Sequence, residues 1–512
     1  MISETNSAPD GAVPAPVKAG TPCQATEFYP WSLAFGASLV FGLARRSLPA
    51  KAAVWCLVFL FTGCAVGPNY KRPPSTSPQT FRDDNATGTN SFGDLPWWEV
   101  FHDDRLQTLI QVALTNNYDI RIAATRVEQA RQLVVEARSE LLPQVNYFGQ
   151  GGKGRNAAGA TTLTPNIGNV GILEFGGNAS WEIDLWGRVR RLTESAKAQF
   201  FASEEARRDV TISLIAQVAQ DYFQLLALDR QLAIAMDATN SYGQSLKIFD
   251  ERLRGGVASR LETSAAEALM DSQAALIPDL ERQIEQTENQ LGVLLGQNPA
   301  PIIREGSVLE KQLAPEVPGG LPSALLERRP DIREAEQSLR SANAQIGVAE
   351  ANFFPQLTLS GLLGQVSPEL ATLTAGSAFG WAAAASVTGP LFHGGQLRAA
   401  YRQAKAARDQ FVLQYQSTVL HAFQEASDAL IARQKLAIAR TEQERAVAAY
   451  QQAFKIATDR YRQGQSSYYE VLQQQQLLFP AENTLAQTQL NQLSAIVQLY
   501  RALGGGWQIE KK

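Results

Sequence analysis

The sequence predicts a mainly α-helical, tandemly duplicated protein in which each half also contributes a pair of membrane-crossing β-strands. One observation behind this prediction is an internal repeat of about 200 residues. Another is the alternation of apolar and polar residues in segments of about ten residues, enough for a tilted strand to cross a bilayer. After residue 63 no apolar run is long enough for a membrane helix, so strands would have to do any spanning.

Composition excludes several classes of function. The net charge of the 512 residues is -4, which gives no reason to expect nucleic acid as a partner. No Gly-x-Ser-x-Gly motif and no phosphate-binding loop occurs, so we predict no enzyme and no catalytic residue. The three histidines lack the spacing of metal ligands, and no metal site or cofactor is predicted: His102, His393 and His421.

The N-terminus predicts a cleaved signal peptide that ends before a lipidated cysteine. A basic stretch with Arg45 and Arg46 precedes the apolar run Ala52 to Phe61, which is too short to span a membrane. Thr62 and Gly63 then precede Cys64, an arrangement that resembles a bacterial lipobox, although Phe61 stands where Leu is usual. The alternatives are an unmodified, buried Cys64 thiol, or an inner-membrane helical hairpin formed by this run and an earlier one. Because all three cysteines fall in the first 64 residues, no disulfide framework is expected in the folded body.

The internal repeat follows one register over more than thirty residues. The segment Asn117 to Arg121 matches Arg329 to Arg333, and Pro143-Gln144 matches Pro355-Gln356. At a slightly different offset, the segment around Tyr242 matches the one around Tyr450. We therefore predict these divisions: extension and signal peptide 1–63, lipid-anchored linker 64–96, first repeat 97–296, linker 297–322, second repeat 323–507 and tail 508–512.

Each repeat begins with helices and continues with a strand pair. Apolar residues at spacings of three and four predict helices over Asp104 to Asn116, Ile120 to Leu141 and Ile332 to Phe353. Strand pairs are predicted at about 142–186 and 355–392, each with one apolar and one polar face. A soluble β-sandwich is the alternative, but four strands make a poor core, whereas three copies would close a twelve-stranded barrel without open edges.

A long proline-free stretch rich in Ala, Gln, Leu, Glu and Arg follows each strand pair. These stretches run from Gly187 to Ile277 and from Phe392 to Phe479, far longer than a globular core needs. Each is expected to fold back on itself, with tips at Leu228 to Ala235 and Ile431 to Ala439. A further turn is predicted where glycine follows arginine, at Arg254-Gly255-Gly256 and Arg462-Gln463-Gly464.

In their order and duplication, these features resemble the outer-membrane factors, the TolC-like proteins, in their lipoprotein (NodT) branch. The resemblance covers nearly everything from Cys64 onwards. Besides the lipobox, it rests on these motifs: Trp97-Trp98 with Phe101, Asn117 to Ile120, Arg329 to Ile332, Phe354-Pro355, Gly389 to Phe392 and Leu503 to Trp507.

The resemblance implies a homotrimer in the bacterial outer membrane, with a twelve-stranded barrel and a helical tunnel that extends into the periplasm. The tunnel end would contact a periplasmic adaptor protein and an inner-membrane pump, and Cys64 would carry N-acyl and S-diacylglycerol lipid. The expected function is a passive duct for the efflux of drugs or other small molecules. Metal efflux, type I protein secretion and a structural envelope lipoprotein are the alternatives.

The resemblance also suggests residues for the periplasmic end of the duct. Asp428 resembles an inward carboxylate near the helix tips, where a ring of three would favour cations and act as a gate. At the predicted tips, Asp229, Arg230 and Arg433 are candidate adaptor contacts, and Asp221 is a weaker gate candidate. Solvation at a helix surface is the alternative for each of these charges.

Overall fold

The computed structural model describes the chain from Ala65 to Gly505 with several gaps. The signal peptide, Cys64, most of the linker 297–322 and the C-terminal tail fall outside the residues it describes. Those described are 65–74, 95–155, 157–158, 162–163, 169–257, 259–304, 308–309, 312 and 325–505.

The first repeat opens with three helices, of which the second and third lie where hydrophobic periodicity predicts them, while the short first helix was not predicted. They are α1 (Trp97–Val100), α2 (Asp104–Asn116) and α3 (Tyr118–Ser139). Asp103 caps α2, where its carboxylate accepts from the backbone N–H of Arg105 at 2.8 Å. Asn117 caps α3 by accepting from the N–H of Asp119 at 2.7 Å. The short polar side chains of Asp103 and Asn117 therefore mark the two helix starts.

Four strands, two from each repeat, form one antiparallel sheet. They are β1 (Gln144–Arg155), β2 (Asn169–Ile183), β3 (Gln356–Ser367) and β4 (Phe379–Thr388), and their order in the sheet follows the sequence. β2 pairs with β3 and so joins the two repeats, while β1 and β4 form the outer edges. The predicted strand pairs are confirmed.

A helix of 67 residues follows each strand pair: α4 (Arg188–Arg254) in the first repeat and, in the second, the equally long α9 (Gln396–Arg462). At 1.5 Å per residue each is about 100 Å long. The chain then returns through α5 (Arg260–Ala274) and α6 (Leu276–Leu294), or through the single helix α10 (Tyr468–Ala502). The second repeat also contains α7 (Leu325–Arg328) and α8 (Pro330–Ala351).

The predicted tips at Leu228 to Ala235 and Ile431 to Ala439 are wrong. Both segments lie inside uninterrupted helices, because neither contains a glycine or proline to break the hydrogen-bond ladder. The turns lie instead at 255–259 and 463–467, at the Arg-Gly signals, where Gly256 and Gly464 have φ values of 70° and 75°.

The main core lies where the helices of both repeats meet. Leu106 and Ile110 of α2 pack with Tyr222, Tyr415 and Leu499, and all five are fully buried. A second cluster nearer the turns contains Phe249 and Tyr468, whose rings meet edge to face at a centroid distance of 5.3 Å. The two repeats are thus held together by shared apolar packing.

Proline at Ala235 tests the position of the turn. Ala235 is buried within α4, so we expect Ala235→Pro to destabilise the protein by about 3 kcal/mol or more. The matched control is Gly464→Ala at the observed turn, where an added Cβ meets nothing within 4 Å and the cost is about 1 kcal/mol. Thermal unfolding followed by circular dichroism measures both; equal tolerance of the two substitutions would restore a turn near residue 235.

Candidate functional site

One face of the sheet is apolar over its middle rows in all four strands, although Lys153 and Arg155 lie on the same face at the end of β1. The register aligns Tyr147, Gly177, Leu363 and Trp381 in one row across that face. Tyr147 is 94% exposed and Trp381 is 75% exposed, so these rings are not covered within one chain. An apolar surface of this extent suits contact with lipid or a partner rather than water.

The opposite face of the sheet is more polar. A row there joins Gln144, Ser180, Ser360 and Ala384. On the same face, Gln150 donates to Glu174 at 2.6 Å. The alternation predicted from the sequence is therefore preserved, with apolar residues gathered on one side and most polar residues on the other.

Charged and aromatic groups fasten the sheet to the long helices. Arg188 at the start of α4 donates to Glu182 of β2 at 2.8 Å and to Glu140 at 3.1 Å. The indole of Trp186 donates to the Pro355 carbonyl at 2.7 Å and stacks on Phe354 at 4.6 Å. These contacts fix the direction in which α4 leaves the sheet.

The segment that follows Cys64 packs against this same junction. The N–H of Val66 donates to the Trp186 carbonyl at 2.9 Å, and Arg191 donates to the carbonyls of Val66 and Gly67 at 3.0 Å. A Cβ on Gly187 would lie 2.6 Å from Ala65, so the two segments touch. Cys64 itself lies outside the described residues, but the residue after it contacts the sheet–helix junction.

The structure places Asp229 far from a helix tip. It lies within α4, 25 residues before the helix ends at Arg254, which is about 38 Å along the axis. Its carboxylate accepts from Arg304 at 2.8 Å, and Arg304 also donates to Glu288. Asp229 thus ties α4 to the segment after α6, and its predicted position at a tip is wrong.

The predicted tip positions of Arg230 and Arg433 are also wrong, since both residues lie in the middle of continuous helices and are half-buried. Asp428 also lies mid-helix, 34 residues before the end of α9, or about 50 Å from the turn. It is exposed and accepts from Gln424 at 3.3 Å. The structure does not bring these four charges together. The predicted place of Asp428 near the helix tips is wrong, because α9 continues past it without a break, while a role for its carboxylate as a gate stays a prediction.

The turns themselves carry a different set of charges. At the first turn, Glu262 accepts from the backbone N–H of Ser259 at 2.9 Å and so caps α5. At the second, Arg460 and Glu470 lie 3.8 Å apart. A glutamate at the equivalent position of each repeat thus contributes to both turns, which the glycine signals after Arg254 and Arg462 had predicted.

A buried carboxylate that sequence reasoning ranked low has the most unusual environment. Asp221 is 7% exposed, and one carboxylate oxygen has no hydrogen-bond partner among the described residues. Burial raises its pKa to about 6, although a hydrogen bond from Gln217 at 2.7 Å opposes the shift.

No helix in the described part of the chain has an apolar stretch long enough to cross a membrane. No group of three or more His, Cys, Asp or Glu in the described ranges is arranged to hold a metal ion.

Comparison with known proteins gives consistent matches. The model of the family described as outer membrane efflux protein matches residues 109–297 and 321–505. The toluene efflux pump outer membrane protein TtgC of Pseudomonas putida is 36% identical over 459 residues, 88% of this chain and 94% of TtgC. The cation efflux system protein CusC of Escherichia coli is 32% identical over 465 residues, 90% of this chain and 100% of CusC.

Among solved structures, the chain is similar to the open state of the Neisseria gonorrhoeae MtrE outer membrane channel. The TM-score is 0.79 at 32% identity, and the match covers 87% of this chain and 99% of that one.

Replacement of Asp221 by asparagine tests the cost of its burial. Because the folded pKa of about 6 exceeds the ordinary 3.8, the native state binds more protons between these values, and stability falls as pH rises through that window. We expect Asp221→Asn to make the free energy of unfolding depend less on pH. At pH 8 the melting temperature should rise, and the free energy of unfolding should increase by at most about 3 kcal/mol.

The matched control for this experiment is Asp237→Asn, at an exposed position of the same helix. It should retain the pH profile of the unmodified chain. Melting temperatures between pH 4.5 and 8 decide the matter; an unchanged slope in Asp221→Asn would show that another group titrates.

Proposed function

The chain belongs to the outer membrane efflux protein family, and we propose from this premise that three copies assemble into a continuous duct. The chain is the outer-membrane channel component of an efflux system, and its family members are channel proteins rather than enzymes. Beyond this role, we propose how the copies assemble, that a lipid anchors the chain, and which partners and cargo the duct has.

The observation that carries the proposal is the open, four-stranded sheet at one end of very long helices. Its outer strands, β1 and β4, have no partner on their far edges among the described residues. In a bilayer, unpaired backbone N–H and C=O groups cost several kcal/mol each. Pairing of β1 with β4 of a neighbouring copy removes those edges, and three copies close a barrel of twelve strands with the apolar rows outside.

The helices extend the same duct away from the membrane. At about 100 Å, α4 and α9 are several times longer than the hydrocarbon core of a bilayer, so they continue well into the periplasm. We propose that the turns at 255–259 and 463–467 form the far end, where a periplasmic adaptor and an inner-membrane pump engage the duct. These turns replace Asp229, Arg230 and Arg433 as the contact region.

Lipidation of Cys64 fits the position of the segment that follows it. Ala65 and Val66 contact Gly187 and Trp186, at the boundary between the sheet and the helices. Acyl chains on the preceding residue would therefore enter the membrane beside the proposed barrel. Two or more acyl chains make such an anchor stable.

Two kinds of cargo are suggested by the relatives. TtgC is named for toluene efflux and CusC for cation efflux, at similar levels of identity. We propose small organic compounds as the first class and metal cations as the second, because a wide, passive duct leaves selection to the pump.

A susceptibility panel tests the function. Deletion of the gene should sensitise cells to several unrelated organic compounds, and the intact gene should restore resistance, whereas a version without β1 to β4 should not. The matched control is a variant with Asp237→Asn, an exposed substitution that preserves the fold. Sensitivity to metals alone would replace the organic cargo by cations, and unchanged susceptibility in a strain without redundant homologues would contradict efflux.

Labelling with radioactive palmitate tests the anchor. We expect label on the unmodified chain and on Cys56→Ser, because residue 56 belongs to the removed signal peptide, and none on Cys64→Ser. Gel autoradiography of the purified proteins gives the answer. Label that persists in Cys64→Ser would show that the lipid is attached elsewhere.

A further inference from the structure

A groove opens on the surface of each protomer just below the sheet. It lies between α3, α4 and α8, beside the segment that follows Cys64, and its volume is about 650 Å³, within the range of small-molecule sites. Four cationic side chains line it, together with the apolar Leu141 and Phe201: Arg138, Arg190, Lys197 and Arg340.

The groove carries an excess of positive charge. Its one acidic lining residue, Glu194, accepts from Arg191 at 2.7 Å and is therefore compensated. Arg190 forms an ion pair with Asp184 at 3.2 Å, and Arg340 forms one with Glu336 at 2.7 Å. Both carboxylates lie just outside the groove. Arg138 and Lys197 make no ion pair with any residue in the described ranges, and both are exposed.

These two uncompensated cations approach each other from opposite directions. The Cα–Cβ bonds of a helix tilt towards its N-terminus. Because α4 begins at the sheet, the side chain of Lys197 extends towards the sheet. Because α3 ends at the sheet, Arg138 extends away from it. A single anion between them can contact both.

The groove faces the outside of the duct. Tyr70 of the N-terminal segment forms part of its wall, and the guanidinium of Arg340 lies 4.9 Å from the centre of that ring. This segment follows the proposed lipid anchor, and an anchored segment cannot run inside the duct. All three helices of the groove belong to one protomer, so assembly through β1 and β4 leaves it open.

The end of the groove next to the sheet lies at the depth of lipid headgroups. Arg138 is the second-last residue of α3, and Arg190 is the third residue of α4. Each is within about 5 Å of the end of its helix next to the sheet, whereas the headgroup layer is about 5–8 Å thick. Leu141, just after α3, offers apolar contact on the membrane side of the cations, whereas Phe201 lies on their far side.

We propose that this groove binds the phosphate headgroup of one anionic phospholipid per protomer, taken from the periplasmic leaflet of the outer membrane. The proposal rests on the proposed function for the membrane position of the sheet. The cations bind the phosphate, and the glycerol end of the acyl chains lies on Leu141, the apolar lining residue nearest the sheet. A bound lipid would fill the space between the N-terminal segment and the helices.

Native mass spectrometry of the full-length protein in detergent, titrated with phosphatidylglycerol, tests the proposal. We expect one lipid per protomer on the unmodified chain, and at least tenfold weaker binding by the double variant Arg138→Gln, Lys197→Gln. The matched control, Lys247→Gln with Lys455→Gln, removes the same charge from exposed positions near the far ends of α4 and α9. It should bind as the unmodified chain does, and so should Lys197→Arg.

Equal binding by the double variant and the unmodified chain would overturn the proposal, as would an equal loss in the control pair. Millimolar inorganic phosphate serves as the competitor, and complete displacement of lipid by phosphate would show a simple anion site instead. Susceptibility of a strain with the double variant is measured in parallel. Absence of lipid binding by the unmodified chain, together with intact efflux, overturns this inference alone and leaves the proposed function in place.

Discussion

The unpaired edges of the four-stranded sheet are the constraint on which the rest of the molecule depends. A sheet with two free edges cannot lie in hydrocarbon, because no water is available to satisfy its backbone groups. Four strands are also too few to close on themselves. The proposed joining of these edges between copies therefore accounts for both the exposed apolar face and the open sheet.

The duplication provides the symmetry that such an assembly needs. β2 and β3 meet at the join between the repeats, so each protomer presents one edge from each half. Each half also sends one helix of equal length away from the sheet. In the proposed trimer, three protomers would give six equivalent units around one axis, each with two strands and one long helix.

The junction between the sheet and α4 joins three parts of the chain. Trp186, Arg188 and Gly187 lie within three consecutive positions, yet they contact β2, the start of β3 and the N-terminal segment. Gly187 has a φ of 81° and room for no Cβ, because Ala65 lies against it. The contacts of Ala65 and Val66 place this N-terminal segment, the end of the sheet and the start of α4 at one level.

By itself, the sequence determined the fold class, the duplication, the strand faces and, within two residues, the starts of α2, α3 and α8. These follow from local periodicity and from short capping side chains such as Asp103 and Asn117. The glycines after Arg254 and Arg462 likewise identified the real turns. Local geometry was sufficient wherever the determining atoms lie within a few residues of each other.

Only the tertiary structure decided the positions and partners of the charged residues. Asp229 resembled a tip residue, but Arg304, 75 positions away, holds it in the middle of the molecule. The groove cations Arg138 and Lys197 come from helices separated by the whole first strand pair. A helix of 67 residues and one that turns halfway have the same composition and periodicity. Packing between distant segments decides between them, because the free energy of that packing depends on contacts that no local pattern encodes.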